Sequence, residues 1–143
     1  MADKYPQATQ RALPESFRAR ALSASLTVKD LTKSVAWYLD VLGFTVQQRY
    51  EREGKFLAAS LQAGDVEILI NQDDGAKGWD RIKGAGISLQ FTTVQDVDAL
   101  AARIKEKGGT IVTEPTDMPW GARIFRTQDL DGFGLVFSRE IVK

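Results

Sequence analysis

Residues 26–46 read LTVKDLTKSVAWYLDVLGFTV, and a second segment of the same design, TTVQDVDALAARIKEKGGTIV, occupies residues 92–112. Equivalent landmarks in the two segments are 66 residues apart, namely Asp30 with Asp96 and Gly43 with Gly109. A constant offset is the signature of an internally duplicated unit. The sequence therefore predicts two copies of one structural module.

Each segment has the pattern of a strand, a helix and a second strand. Asp30 and Asp96 follow the first strands, where a carboxylate can accept hydrogen bonds from the unpaired amides that begin a helix. Apolar residues then recur every three or four positions, which predicts one buried helix face. Glycine follows each helix, at Gly43 and at 108–109, where a left-handed residue ends a helix without a Cβ penalty.

Turn signals behind each segment complete the module. Glu53–Gly54 and Ala63–Gly64 predict a three-strand meander in the first half, and Asp131–Gly132 is the clearest hairpin turn of the second half. The predicted strands cover residues 21–28, 44–52, 55–61, 65–71, 87–94, 111–114, 122–127 and 133–138. This is an α+β fold of two tandem βαβββ modules. We expect an N-terminal arm (1–20), a first module (21–72), a linker loop (73–86) and a second module (87–139) within one structural domain.

The composition excludes several classes of function. The 143 residues include 19 basic and 19 acidic side chains in no long run of one sign, so nucleic acid is not an expected partner. No apolar stretch is long enough to span a bilayer and no signal-peptide core is present, so we expect a cytoplasmic protein without a membrane partner. The absence of cysteine and histidine removes disulfides, thiolate metal sites and a Ser-His-Asp triad.

Two motifs carry a family resemblance. Residues 26–44 resemble the opening signature of the vicinal oxygen chelate superfamily, which contains glyoxalase I, bleomycin-resistance proteins and extradiol dioxygenases. Residues 119–125 and 129–132 resemble its closing signature, with Leu130 in place of the usual proline. The likeness covers about residues 21–139 and is closest in character to the bleomycin-resistance-like group. It implies a curved eight-stranded mixed sheet whose concave face, the cup, holds the ligand.

The resemblance also implies where a divalent metal would bind. The family's ligand positions fall on Ser23, on Glu67 or Ile68, on Ser88 or Leu89, and on Val136. At most one of these is a carboxylate, whereas a catalytic ion needs about three protein ligands. We therefore expect the inherited metal site to be degenerate and no cofactor to be bound. A divalent metal at a new site remains an alternative. Asp73 and Asp74 are candidates for such a site, although a solvated turn is the favoured interpretation of this pair.

Candidate ligand-binding residues come from strand alternation and from exposed aromatics: Ser25, Phe56, Asn71, Gln90, Trp120, Arg123 and Phe125. Trp120 in its Pro-Trp-Gly turn fits either a cover over the ligand or a contact with a partner subunit. Arg123 shares a strand face with Phe125 and fits either an anion contact or a solvent-exposed position. Trp79 in the linker fits a lid, an exposed loop residue or an interface anchor.

Three hypotheses about function follow. The first is metal-independent binding of a small organic molecule in the cup of a homodimer, with antibiotic or metabolite sequestration implied by the family alone. The second is an enzyme of the superfamily. It would be a lyase or dioxygenase with a relocated or degenerate metal site, or a metal-free isomerase with Glu67 as its general base. The third is a non-catalytic structural or regulatory subunit.

Overall fold

The computed structural model describes residues 17–141, which contain eight strands and two helices. The first module consists of β1 (Ala24–Val28), α1 (Leu31–Trp37) with a π-helical continuation (Tyr38–Leu42), β2 (Thr45–Arg52), β3 (Lys55–Ala63) and β4 (Val66–Gln72). The second consists of β5 (Ser88–Thr92), α2 (Val97–Glu106), β6 (Ile111–Met118), β7 (Ala122–Gln128) and β8 (Gly134–Glu140). The predicted pair of βαβββ modules is confirmed. The predicted N-terminal arm lies outside the described residues except for 17–20.

Both predicted helix caps are present. The Asp30 carboxylate accepts a hydrogen bond from the Lys33 amide, and the Asp96 carboxylate accepts from the amides of Asp98 and Ala99. Gly43 ends the π-helical continuation in the left-handed region, at φ 84°. The two aspartates satisfy amide donors that otherwise have no partner at a helix start.

The eight strands are hydrogen-bonded as two four-stranded sheets, in the orders β1-β4-β3-β2 and β5-β8-β7-β6. The β1–β4 and β5–β8 pairs are parallel, and the other neighbours are antiparallel. Helix α1 packs on β3 and β4, and α2 packs on β6, β7 and β8. Each sheet therefore has one face covered by a helix. We call the other face of each sheet its open face.

Apolar packing on the helix-covered side joins the modules. The first core cluster contains Leu61 and Ile70 of the first module together with Leu135 of β8. Val41 of the first module lies in a second cluster with Phe125 and the buried residues of α2. Because side chains of both modules share these two clusters, burying apolar surface holds the modules together.

The connection between β7 and β8 differs from the expected two-residue turn. It spans residues 129–133, and the Asp129 carboxylate organises it by accepting hydrogen bonds from the amides of Asp131 and Phe133, both at 2.9 Å. An aspartate that binds backbone amides two and four residues ahead builds its own turn. Strand β6 also continues beyond the predicted end at Glu114 to Met118.

Helix α1 has seven residues followed by five in its π-helical continuation, and α2 has ten. None of the described helices has the length and apolar character required to cross a bilayer.

Candidate functional site

Glu67 is the chemically most distinctive residue on the open face of the first sheet. Its neighbour Ile68 belongs to the core, so strand alternation turns Glu67 to the open side. The Ser60 hydroxyl donates to Glu67 Oε1 at 2.9 Å. In the amide orientation that satisfies both ends of its side chain, Gln47 Nε2 lies 3.0 Å from both carboxylate oxygens. The carboxylate is thus fixed by two neutral hydrogen-bond donors.

Ser25 and Asn71 lie together on the same face. The Asn71 amide donates to Ser25 Oγ at 2.8 Å and to the Leu26 carbonyl at 3.3 Å. The parallel register of β1 and β4 sets Ser25 against Leu69 and Asn71 against Thr27. The structure brings these two predicted site residues together, and their role in binding stays a prediction.

The open face of the second sheet carries Gln90. This residue is exposed and lies opposite Val136, and its neighbours Leu89 and Phe91 pack against the first core cluster. Arg126 of β7 is also paired with Val136 and is exposed. The amide and guanidinium groups are therefore directed away from the helix-covered core.

The structure decides between the alternative metal positions. Ile68 is 2% exposed and belongs to the first core cluster, against which Leu89 also packs. Because neighbouring residues on a strand point to opposite faces, Glu67 and Ser88 are the alternatives that lie on the open faces. Ser23 immediately precedes β1. Val136 is 4% exposed and packs in a third apolar cluster with Met118, Ala122 and Ile124.

These four positions supply one carboxylate, two hydroxyls and an isopropyl group. This donor set does not fit a catalytic divalent ion, because hydroxyl and aliphatic groups cannot replace imidazole or carboxylate ligands. Elsewhere in residues 17–141, no group of three or more His, Cys, Asp or Glu side chains is arranged to hold a metal ion.

Two predicted ligand residues lie on the wrong face. Phe125 is fully buried in the second core cluster and stacks on Phe137, with ring centroids 4.8 Å apart. Arg123 forms ion pairs with Asp98 of α2 at 2.8 Å and with Asp117 at 2.9 Å. Arg123 and Phe125 do share a face, as predicted, but it is the face that α2 covers.

The register of one hairpin explains this error. A two-residue turn at Asp131–Gly132 would pair Val136 with Thr127, which would place Phe125 on the face of Val136. In the five-residue connection Val136 pairs with Arg126 instead. A slip of one residue exchanges the two faces of a strand. Arg126 is therefore the open-face cation that sequence reasoning missed, and knowledge of the turn length would have identified it.

Phe56 and Trp120 occupy different surroundings. Phe56 packs against the first core cluster, and the Arg49 guanidinium lies 3.9 Å from its ring centroid. A register shift between Tyr50 and Glu51 pairs Phe56 with Glu51 and accounts for this position. Phe56 therefore does not share the open face with Ser25 and Asn71. Trp120 lies at the turn between β6 and β7 and is 67% exposed, which leaves its role open.

The interpretation of Asp73 and Asp74 as a solvated turn holds for Asp74 and is wrong for Asp73. Asp73 is 3% exposed, and its carboxylate lies 2.8 Å from Lys83 Nζ and 3.3 Å from Arg81. Lys83, itself almost fully buried, also lies 3.4 Å from Asp131. The buried Lys83 side chain thus joins Asp73 at the start of the linker to Asp131 of the second module.

Asp73 and Asp129 have pKa values shifted in opposite directions. The hydrogen bond from Lys83, aided by the Gly75 amide, lowers the pKa of Asp73 to about 2. Burial raises the pKa of Asp129, whose carboxylate accepts a 2.7 Å hydrogen bond from the Tyr38 hydroxyl. Burial likewise raises the pKa of Tyr38.

Asp73→Asn is expected to make the Tm of the chain depend less on pH in acid solution. A carboxyl with a pKa of about 2 in the folded state and about 3.9 in the unfolded state stabilises the fold fully above the higher value. That contribution is lost as the pH falls toward the lower value. The Tm of the unaltered chain should therefore drop between about pH 4 and pH 2 more steeply than that of the variant. Exposed Asp74→Asn is the matched control, and identical profiles for the two variants would refute the assignment.

Comparison with known proteins agrees with this architecture. The chain is 30% identical over 126 residues to a lactoylglutathione lyase of Neisseria meningitidis serogroup A, covering 85% of this chain and 91% of that protein. It is 29% identical over 119 residues to a probable lactoylglutathione lyase of Synechocystis sp., covering 78% and 88% of the two chains.

Solved structures share the fold. TioX from Micromonospora sp. ML1 has a TM-score of 0.67 and 26% identity, with 86% of this chain and 100% of that chain covered. A superfamily member from Sphaerobacter thermophilus has a TM-score of 0.71 and 22% identity, with 86% and 98% covered. The model of the Glyoxalase/Bleomycin resistance protein/Dioxygenase superfamily matches residues 20–137, and this chain belongs to that superfamily.

Proposed function

We propose that the open faces bind a small organic molecule without a bound metal ion. This proposal rests on the side chains that occupy the inherited metal positions. Glu67 is the one ligating side chain among them, and its oxygens are engaged by Ser60 and Gln47. The family fold is retained, whereas Ser23, Ser88 and Val136 stand at positions where the family has metal-binding side chains.

The open faces offer hydrogen-bonding groups in place of a metal. Glu67 is a fixed acceptor for an amine or hydroxyl of the ligand, and Arg126 is a donor for a carbonyl or an anion. The pair of Ser25 and Asn71 adds neutral polar atoms, while Val136 belongs to an apolar patch. A few placed polar groups beside apolar surface are typical of small-molecule sites. Antibiotic or metabolite sequestration is the function that this arrangement favours.

A second copy of the chain is the partner we propose for completing the cup. β1 and β5, which carry Ser25 and Gln90, are edge strands of separate sheets. Edge strands leave backbone groups available for pairing or need to be covered. A homodimer would let the open faces of two chains approach each other, and sedimentation analysis would measure the assembly state.

Glu67→Gln is expected to weaken ligand binding about tenfold without unfolding the chain, because a charge-assisted hydrogen bond becomes a neutral one. The measurement is calorimetric titration of aromatic antibiotics and amine-containing metabolites into chelator-treated protein. Asp65→Asn, an exposed change in the β3–β4 turn, is the control. Binding that appears only after a divalent metal is added back would contradict the proposal.

Lactoylglutathione lyase activity is the second candidate function, favoured by the names of the relatives at about 30% identity. In this chain Glu67 would act as the base that moves a proton, held by Ser60. An assay of S-lactoylglutathione formation from glutathione and methylglyoxal tests this candidate. Turnover that Glu67→Gln abolishes would favour catalysis over sequestration.

A further inference from the structure

A cavity of about 530 Å³ lies outside the open faces. Its walls come from three parts of the chain: the β1–α1 turn and first turn of α1, the linker, and the β7–β8 connection. The volume falls within the range of small-molecule pockets. This cavity is separate from Glu67 and from every position of the inherited metal site.

One wall of the cavity is a fixed indole. A Cβ on Gly75 would come 2.4 Å from Trp79 Cε2, so glycine at this position lets the indole pack directly on the backbone. Gly75 also has φ 77°, a conformation that other residues adopt only with strain. Trp79 nevertheless remains 49% exposed. The linker thus presents a rigid aromatic surface to the cavity, beside the exposed side chain of Leu130.

The acidic groups of the cavity already have hydrogen-bond partners within the protein. Asp131 accepts hydrogen bonds from the Lys29 amide at 2.8 Å and the Ser34 hydroxyl at 3.5 Å, and Lys83 lies beside it. Asp30 accepts from the Lys33 amide as the helix cap. The Lys83 ammonium therefore balances Asp131, whereas Asp30 is held at the start of α1 and keeps its charge.

The basic groups of the cavity are available. The Lys29 ammonium contacts Asp80 at 2.9 Å, but 58% and 90% of the two side chains are exposed. Exposed ion pairs of this kind contribute little to stability, so Lys29 can exchange Asp80 for a carboxylate of the ligand. The Lys33 ammonium has no hydrogen-bond or ion-pair partner within residues 17–141. Lys29 and Lys33 thus line the same cavity as the Trp79 indole.

We propose that this cavity is a second binding site that takes an aromatic carboxylic acid. The ring of the ligand stacks on Trp79, and its carboxylate lies between the ammonium groups of Lys29 and Lys33. Stacking and a charge-assisted contact supply different parts of the binding energy. The ligand would contact both modules and the linker that joins them.

Titration calorimetry of the full chain with 2-naphthoate, and with neutral 2-naphthamide as the matched probe, tests the inference. Naphthoate should bind about tenfold more tightly than the amide, because only the acid engages the lysines. Lys33→Gln and Trp79→Ala should each weaken naphthoate binding about tenfold. Lys55→Gln, an exposed change at the start of β3, should not alter it.

Equal affinity for the two probes, or failure of naphthoate to bind at millimolar concentration, would overturn the inference. So would unchanged naphthoate binding in both Lys33→Gln and Trp79→Ala. Arg126→Gln separates this site from the open faces, because Arg126 is the open-face cation that an anionic probe would contact. If Arg126→Gln weakens naphthoate binding and Lys33→Gln does not, the probe binds at the open face, and this inference fails while the proposed function stands.

Discussion

Phe125→Ala is expected to lower the free energy of unfolding by about 3–5 kcal/mol, the usual cost of removing a fully buried phenylalanine. Phe125 has no exposed surface and lies between Phe137 and the core residues of α2 and Val41. Removing its ring leaves a cavity at the point where the two modules share a core. Chemical denaturation followed by circular dichroism measures the loss.

Trp120→Ala is the matched control for Phe125→Ala. Trp120 is a large aromatic in the same module but is 67% exposed, so its removal should change stability by no more than about 0.5 kcal/mol. The two variants distinguish a core residue from a candidate ligand contact. A Phe125→Ala protein of unchanged stability but weakened ligand binding would show that the residue does face the ligand.

Asp129→Ala is expected to cost about 3 kcal/mol, because the change leaves the buried Tyr38 hydroxyl and two turn amides without an acceptor. This carboxylate links the β7–β8 connection to the π-helical continuation of α1 in the first module. Asp65→Ala, an exposed change in the β3–β4 turn, is the control for losing an aspartate. The measurement is denaturant unfolding at neutral pH.

A double-mutant cycle with Tyr38→Phe isolates the contact between the modules. The double variant should lose less stability than the sum of the losses in the two single variants. The difference, which is the coupling energy of the two side chains, should be about 1–3 kcal/mol. Additive losses would mean that Asp129 acts on its own turn alone. The cycle would then refute the role of the Tyr38 hydrogen bond in joining the modules.

The module architecture was predictable because its signals are local. Asp30, Asp96 and Gly43 each act on backbone groups within a few residues, and these residues are readable in the sequence as caps. The duplication then predicts that the second module repeats the order of strands and helix found in the first. The π-helical continuation of α1 has no comparable local signal.

The candidate site was predictable only where strand alternation started from a correct register. Ser25, Asn71 and Gln90 lie beside strand residues that belong to or pack against the core. Strand alternation predicts that Arg123 and Phe125 share a face but not which face it is, because that depends on the register set by the connection after β7. The burial of Asp73 is not predictable from sequence, because its partners Arg81 and Lys83 approach it only in the folded linker. The expected cytoplasmic location and the absence of a nucleic-acid partner remain predictions.

Metal titration of the purified, chelator-treated chain tests the central claim most directly. Calorimetry with Zn²⁺, Ni²⁺ and Fe²⁺, combined with elemental analysis after dialysis, would report affinity and stoichiometry. The account predicts well below one ion retained per chain, since Ser23, Ser88 and Val136 cannot complete a ligand set around Glu67. Retention of one ion per chain that Glu67→Gln abolishes would contradict it.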